Sequence, residues 1–413
     1  MVSLRLARAI LLGVFGAPLA GLTVACTPQG IVQQLWVSDI KNNRILRFSV
    51  LSTTGNKGVA GNANLVLGQP DFVSNSPDEG QNNPNPSGLA NPWGLAADGA
   101  GDLWVADTHN NRVLEFQPPF TNGMAASMVL GQPDLSSNGN SNPQNNLSLP
   151  EGIAFDSNGN LWVADSGNCR VVEFTQPFSN GKPVNLIIGQ PNSFNGMCDV
   201  LGGMLRCPMF VAMDGQGDLF VSDCFAGLNE FKPPFTISSA PMPIGTTADC
   251  SPGQQPLTAS DICSAAGLAF DPAGNLWVAD AGSDFGSGKG NRIVRLLPAF
   301  TNGADTVIGQ GTFSTGSNDW CPGNCPQGPN QTGLNSPAGI ALDGTFNLYV
   351  ADLNNSRALQ FEPTYTLNPP PPHFVWQDGE AAAFVFGQPN FNTNTAPTPS
   401  QDGISAPVAV LAP

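Results

Sequence analysis

Few side chains in this sequence of 413 residues could carry out acid–base chemistry. The histidines are His109 and His373, and two histidines exclude a metal site built from several of them. General acid–base catalysis usually needs two positioned titratable groups. The best available pair is Glu151 with His109, and we hold these two residues as the catalytic candidates. The simpler interpretation of His109 is an exposed loop residue, and His373 follows a proline run, 369–372, typical of a stiff spacer.

The cysteines form the second chemically informative set. Besides Cys26, the chain has eight, an even number: Cys169, Cys198, Cys207, Cys224, Cys250, Cys263, Cys321 and Cys325. An even set in an exported protein indicates disulfide bonds. The one tight spacing, at 321–325, has no histidine nearby, so we expect disulfides, no metal and no cofactor.

The amino-terminal segment predicts export. Arg5 and Arg8 precede an apolar stretch over 9–22, and small residues precede Cys26. This layout is typical of a secretory signal peptide over residues 1–25, ahead of a single domain over 26–413. Cys26 is also placed like the lipidated cysteine of bacterial lipoproteins, although Thr23 stands where those signals usually have leucine. Lipidation at Cys26 and ordinary cleavage both stay open, and the expected location is the bacterial cell envelope or the extracellular space.

Composition excludes several classes of protein. Gly and Pro number 47 and 38, which excludes a helical bundle, because both interrupt helices. A hydrophobic fraction of 41% is enough for a packed core, so disorder is excluded as well. The formal charge of −16 makes nucleic acid and anionic membranes unsuitable partners. A turn-rich β protein remains.

An internal repeat organises the chain. Each copy contains a small-apolar segment, a short turn, an aromatic strand that ends in Asp, and a strand that begins near Arg, as in 92–116 and 150–174. The strand-ending acids recur at intervals of 57 to 72 residues: Asp39, Asp107, Asp165, Asp223, Asp280 and Asp352. Such units of about four strands predict the blades of an all-β, six-bladed β-propeller. The carboxyl-terminal segment 405–413 is similar to a lone first strand, so we expect it to close the ring on the amino-terminal blade.

The repeat resembles a known family. The segments Gly152–Asp165 and Asn110–Phe116 are similar to NHL repeats, which build six-bladed propellers, and the resemblance extends over about residues 31–413. The resemblance implies the fold and does not choose a chemistry, because such propellers include enzymes, sensors and binding scaffolds. The related amidating lyases and lactonases hold metal with several His or acidic residues at the channel mouth, and the matching positions here lack them.

The repeated residues have a structural explanation. We expect the aromatic residue before each strand-ending Asp to pack between neighbouring blades. We expect each of these acids to brace a turn by pairing with a following arginine, except in the blade of Asp223, which has no such arginine and has Cys224 instead. Within the propeller the cysteines should share the face of the channel mouth, and we predict the pairs 169–224, 198–207, 250–263 and 321–325.

Alignment of the first strands identifies the channel mouth. The six aligned positions, which form the candidate binding site, are Trp93, Glu151, Met209, Ala266, Ala338 and Val408. This ring has one carboxylate, and the loops around it are rich in Asn, Ser, Pro and Gly. We therefore expect a monomeric, non-catalytic scaffold that binds protein, peptide or carbohydrate on its loop face and meets membranes only through a lipid anchor. The alternative is a lyase or lactonase-like enzyme that uses Glu151 and His109.

Overall fold

The computed structural model describes residues 32–51, 58–140, 146–190, 205–245, 257–281, 290–315, 317, 319, 328–366, 373–394 and 398–413. Val32–Pro413 form one compact unit. The predicted signal peptide, Cys26, the cysteines at 198, 250, 321 and 325, and the proline run lie outside the described residues. No helix among the described residues is long and apolar enough to span a membrane.

The described strands follow one another with short turns. The first eight are β1 (Val32–Asp39), β2 (Arg44–Leu51), β3 (Gly58–Val59), β4 (Leu65–Leu67), β5 (Pro92–Ala97), β6 (Leu103–Asp107), β7 (Arg112–Phe116) and β8 (Met128–Leu130). The next eight are β9 (Pro150–Phe155), β10 (Leu161–Asp165), β11 (Arg170–Phe174), β12 (Leu186–Ile188), β13 (Pro208–Met213), β14 (Leu219–Asp223), β15 (Gly227–Phe231) and β16 (Met242–Ile244). The remainder are β17 (Ala265–Phe270), β18 (Leu276–Asp280), β19 (Arg292–Leu296), β20 (Ala304–Ile308), β21 (Pro337–Leu342), β22 (Leu348–Asp352), β23 (Arg357–Phe361), β24 (Thr364–Thr366), β25 (His373–Val375), β26 (Phe384–Phe386) and β27 (Pro407–Leu411). Single 3-10 turns cover Ile40–Asn42, Pro77–Gly80, Thr108–Asn110, Ser166–Asn168 and Leu353–Asn355.

These strands form the six predicted blades. Blades two to five have the sheet orders β5-β6-β7-β8, β9-β10-β11-β12, β13-β14-β15-β16 and β17-β18-β19-β20, and blade six has β21-β22-β23-β26. Blade one has the order β27-β1-β2-β4, so the last strand of the chain is its innermost strand. Val410 lies opposite Val37, and Pro407 lies opposite Asp39. The prediction of a six-bladed propeller closed by the carboxyl-terminal strand is confirmed.

Glycine allows the innermost strands to approach one another. A Cβ added at Gly152 of β9 would lie 2.5 Å from the Cα of Phe210 on β13. The same position in three other blades is also glycine, and a Cβ there would likewise meet the backbone of the next blade. Each innermost strand contacts the next around the ring, from β5 through β9, β13, β17 and β21 to β27 and back to β5. These strands therefore line the channel.

Aromatic rings join consecutive blades, as the sequence predicts. The indole of Trp104 in blade two meets Phe178 from blade three, with ring centroids 5.0 Å apart. Equivalent edge-to-face pairs are Trp36 with Phe120, Trp162 with Phe235, Phe220 with Phe300, and Trp277 with Trp376. The strand aromatic belongs to one blade and its partner to the next, so these rings are buried structural residues and do not form a binding stripe.

In blades two, three and six, the loop before the outer strand also covers the outer edge of the preceding blade. Asn122 of blade two accepts the Val66 N–H of β4 at 3.1 Å through its Oδ1, and the Gly123 N–H donates to the Val66 carbonyl at 3.0 Å. In the same way, Asn180 Oδ1 of blade three accepts the Val129 N–H of β8 at 2.9 Å. At blade six the edge is covered by β3, which pairs in parallel with β26. Covered edges cannot pair with another chain.

Candidate functional site

The six predicted mouth residues all lie on the innermost strands of their blades, but their environments differ. Met209, Ala266, Ala338 and Val408 are at most 3% exposed. Trp93 on β5 and Glu151 on β9 are partly exposed. These two residues occupy neighbouring positions in the ring, since a Cβ at Gly94 would meet the Glu151 carbonyl. The polar chemistry of the mouth is therefore concentrated at the junction of blades two and three.

Glu151 combines burial with an incomplete set of hydrogen bonds. Its Oε2 atom is buried and has no hydrogen-bond partner among the described residues. Burial raises the pKa of this carboxyl to about 8, against a smaller opposite effect of its hydrogen bond with Ser166. Ser166 belongs to the turn after β10, where its hydroxyl proton is donated to the Pro208 carbonyl. Glu151 therefore holds a proton through most of the neutral range.

Trp93 contributes a second unsatisfied polar atom. Its indole Nε1–H is buried and has no acceptor among the described residues. The ring packs against the hydrophobic cluster that contains Met209 and Ala266, which belong to blades four and five. The Trp93 carbonyl is fixed by the Ser38 hydroxyl at 2.6 Å. A fixed backbone and a ring that contacts other blades give the indole a defined orientation.

His109 is separate from this pair. It lies in the turn after Asp107, its side chain is exposed, and its backbone N–H donates to the Ala90 carbonyl at 3.1 Å. No hydrogen bond joins its imidazole to Glu151 among the described residues. The next residue toward the amino terminus, Thr108, instead links the turn to blade three through the Pro150 carbonyl, at 2.7 Å.

The strand-ending acids brace the loops around the mouth, as expected. Asp107 Oδ2 accepts from Arg112 Nε at 2.7 Å, and Asp107 Oδ1 accepts the N–H of Ala90, in the loop that leads into β5. The Arg112 guanidinium also donates to the carbonyls of Asn85 and Leu135. The same ion pair is formed by Asp39 with Arg44, Asp165 with Arg170, Asp280 with Arg292, and Asp352 with Arg357. Each pair is buried and holds several loop segments together.

Blade four replaces this ion pair with a disulfide. Asp223 accepts four backbone N–H groups, two from the turn after β14 and two from Arg206 and Cys207. Cys207 is bonded to Cys224, so the predicted pairs 169–224 and 198–207 are wrong. The physical reason is register: Pro208 and Asp223 lie opposite each other, which puts the cysteines that flank them side by side, with Cα atoms 5.4 Å apart.

The remaining described cysteines, Cys169 and Cys263, are disulfide-bonded too. Their partners lie outside the described residues, and the predictions for 250–263 and 321–325 stay predictions. Beside the bridge of blade four, Phe225 is 73% exposed, and the Arg206 guanidinium lies 5.7 Å from its ring centroid. The disulfide thus fixes an exposed aromatic residue.

The sequence does not predict the hydrogen bonds of the glutamine in the Gly-Gln turns. The Gln of each Gly-Gln turn donates its amide to two loop carbonyls, as Gln132 does to Asn111 and Gly139, both at 2.8 Å. The repeated Gly-Gln pair marks the turn in the sequence, but not what the amide binds. Likewise, the position of Ser166 directly after Asp165 does not predict its hydrogen bond with Glu151.

An acidic cluster lies at the other end of blade two, beside the turn between β5 and β6. The carboxylates of Asp98, Asp102 and Glu115 approach within 4.8 Å of one another. Burial, followed by the charge of Asp98, raises the pKa of Asp102. In blade three, Asn160 takes the place of Asp102 and donates to both Asp156 and Glu173, at 3.0 and 3.1 Å. Compared with Asn160 in blade three, Asp102 cannot donate a side-chain hydrogen bond to the neighbouring acids, and its negative charge repels theirs.

Family comparison agrees with this arrangement. The NHL repeat model matches residues 89–116 and 147–174, which cover β5–β7 and β9–β11. These two segments therefore have the sequence pattern of NHL repeats. Among curated proteins, no sequence matches this chain.

Three solved structures match this chain over most of its length. Virginiamycin B lyase from Staphylococcus aureus is 13% identical, with a TM-score of 0.42, over 84% of this chain and 82% of that chain. A protein of unknown function from Bacteroides caccae is 11% identical, with a TM-score of 0.46, over 92% of this chain and 98% of that chain. A gluconolactonase from Xanthomonas campestris is 14% identical, with a TM-score of 0.40, over 72% of this chain and 84% of that chain.

Proposed function

We propose that this NHL propeller is an exported, non-catalytic scaffold that binds a protein, peptide or carbohydrate at the mouth of its channel. The observation that carries the proposal is the pair of buried polar atoms at the mouth, Glu151 Oε2 and Trp93 Nε1, which have no hydrogen-bond partner in the described part of the chain. Buried polar groups normally have partners, and an orphaned one requires an explanation. A ligand that supplies both partners is such an explanation.

The loops around the mouth suit this function. Five buried Asp–Arg pairs and the Cys207–Cys224 bridge hold segments that would otherwise be free. A surface that is already ordered loses little conformational entropy on binding. The bridge also supports export to the cell envelope or beyond, because disulfides persist in oxidising compartments. In the proposed protein the signal peptide over 1–25 is removed, and Cys26 is the site where a lipid anchor would attach.

An enzymatic role for Glu151 and His109 is the alternative, and one observation favours it. A carboxyl whose pKa is raised to about 8 is suited to general acid catalysis. The exposed His109 imidazole has no hydrogen bond to that carboxyl, so the second titratable group of a lyase or lactonase is missing from the described mouth. A substrate screen of Glu151→Gln and His109→Ala tests this alternative, because turnover lost on either substitution would support it.

The binding proposal is tested on peptide and glycan arrays. Three forms of the mature chain are compared: the natural sequence, a mouth variant with Trp93→Ala and Glu151→Gln, and a control with Tyr365→Ala and Phe374→Ala. The control changes two exposed aromatics of the β24–β25 hairpin, which lies against the turn of Phe346 between β21 and β22, away from the mouth. We expect ligands that the natural and control chains bind and the mouth variant does not. Equal binding by all three forms, or no bound ligand, would contradict the proposal.

A further inference from the structure

The chemistry of the mouth restricts the kind of ligand, if the binding function proposed above holds. Glu151 differs from the buried strand-ending acids of five blades, each of which has its own arginine. Its carboxyl is bonded to the neutral Ser166, and the other five ring positions are uncharged. Within the described part of the chain, the mouth thus has a buried acid without a positively charged partner.

The elements packed against β9 supply no such partner. On β5 and β13 there is no ionisable side chain. On β10 and the turn after it the ionisable group is Asp165, which is paired with Arg170 at 2.7 Å. On β6 the ionisable group is Asp107, which is paired with Arg112 at 2.7 Å, and on the turn that follows β6, His109 is exposed. Among the residues that the structure describes, none of these elements therefore supplies a positive charge at Glu151, and a ligand could supply one.

Trp93 adds two features to the mouth, one for a cation and one for a hydrogen-bond acceptor beside it. The face of an indole attracts cations, and its Nε1–H requires an acceptor, which it lacks among the described residues. Glu151 Oε2 is an acceptor that lacks a donor. The net charge of −16 also favours the approach of cations over anions. The complementary group is a cation with several N–H donors next to a hydrogen-bond acceptor.

We infer that Glu151 and Trp93 receive a primary ammonium group, and that this group displaces a proton from the Glu151 carboxyl. In the empty mouth the neutral carboxyl shares a hydrogen bond with Ser166. When the ammonium binds, the carboxyl O–H bond breaks, the proton passes to solvent, and the carboxylate accepts N–H bonds from the ligand. The Ser166 hydroxyl, now bonded to the Pro208 carbonyl, can rotate to donate to the carboxylate. Charge balances, because one cation enters and one proton leaves.

Two kinds of ligand present this group: the lysine side chain of a peptide and an amino sugar. Four probes separate them by isothermal titration calorimetry of the mature chain. Nα-acetyl-lysine amide is matched by the neutral Nα-acetyl-norleucine amide, and a glucosamine tetramer by an N-acetylglucosamine tetramer. Titration in two buffers of different ionisation enthalpy measures the protons released. We expect an ammonium probe to bind about tenfold or more tightly than its neutral match and to release close to one proton at pH 7.

The natural chain also gives a pH test that needs no variant. For Nα-acetyl-lysine amide, whose ammonium stays charged over this range, affinity should rise with pH up to about 8 and then level off, because the proton on Glu151 competes with the ammonium. Glu151→Gln should abolish both the proton release and the rise, and Trp93→Phe, which keeps a ring and removes the N–H, should keep both with weaker binding. Neutral probes that bind as tightly as their ammonium matches, affinity independent of pH, or no binding of either ammonium probe would overturn the inference. Mouth-dependent ligands without an amine on the arrays would overturn it while leaving the binding function intact.

Discussion

Replacing Arg112 with Met should destabilise the propeller strongly. The guanidinium and the Asp107 carboxylate are fully buried, 2.7 Å apart, and the guanidinium also donates to loop carbonyls at 3.0 and 3.1 Å. Met keeps much of the volume but leaves the acid unpaired. Removal of one partner from a buried ion pair costs about 3–5 kcal/mol in the free energy of unfolding. Urea denaturation at pH 7, followed by tryptophan fluorescence, measures this loss.

The matched control is Arg295→Met, which breaks the partly exposed pair with Asp305 and should cost about 1 kcal/mol or less. Adding Asp107→Asn to Arg112→Met should recover part of the stability, since the amide removes the unpaired charge and its oxygen can still accept the Ala90 N–H. Burial raises the pKa of Asp107, so the loss in Arg112→Met should shrink as pH falls and the acid is protonated. The reasoning is refuted if Arg112→Met costs no more than Arg295→Met.

Three further predictions concern stability and association. Asp102→Asn should raise the melting temperature at pH 7, because the raised pKa of this acid means that its ionised form destabilises the fold. The gain should disappear in thermal scans below pH 3.8, the ordinary pKa of the acid. A gain independent of pH would contradict this explanation. The double variant Cys207→Ala/Cys224→Ala should lose about 3 kcal/mol, from a bridge across a separation of 17 residues, and unlike the natural chain its unfolding should change little on mild reduction. Asn122→Ala should expose the edge of β4 and speed the loss of monomer in light scattering, and a rate equal to that of the natural chain would show that the cap is dispensable.

The propeller was predictable because it repeats. Six copies of an aromatic strand that ends in Asp impose one local geometry six times, and the packing of Trp104 and the pairing of Asp107 with Arg112 follow from what any single blade needs. The closing strand β27 was predictable for the same reason, since a lone first strand must pair with the blade that lacks one.

The departures from the repeat were harder to predict. The partner of Cys207 depends on which residues lie opposite across β13 and β14, and a comparison of equivalent loops in adjacent blades does not contain that register. The candidate site likewise has a part that the repeat predicts and a part that it does not. Alignment placed Glu151 and Trp93 in the ring, but their burial and the contact with Ser166 arise from side-chain directions that a pattern of residue types does not specify.

Because the loop of one blade covers the outer strand of the preceding blade, the repeating structural unit of this protein does not coincide with a single sheet. The segment that protects the rim of one blade, such as the Asn122 loop on β4, is encoded within the following blade. A cut at sheet boundaries would therefore yield a blade with an unprotected rim and a neighbour with an unused loop. Grafting or duplication of blades should succeed when each border lies between the Asn-Gly loop and the outer strand that follows it. Each transferred segment then begins with an outer strand and ends with the loop that covers that strand.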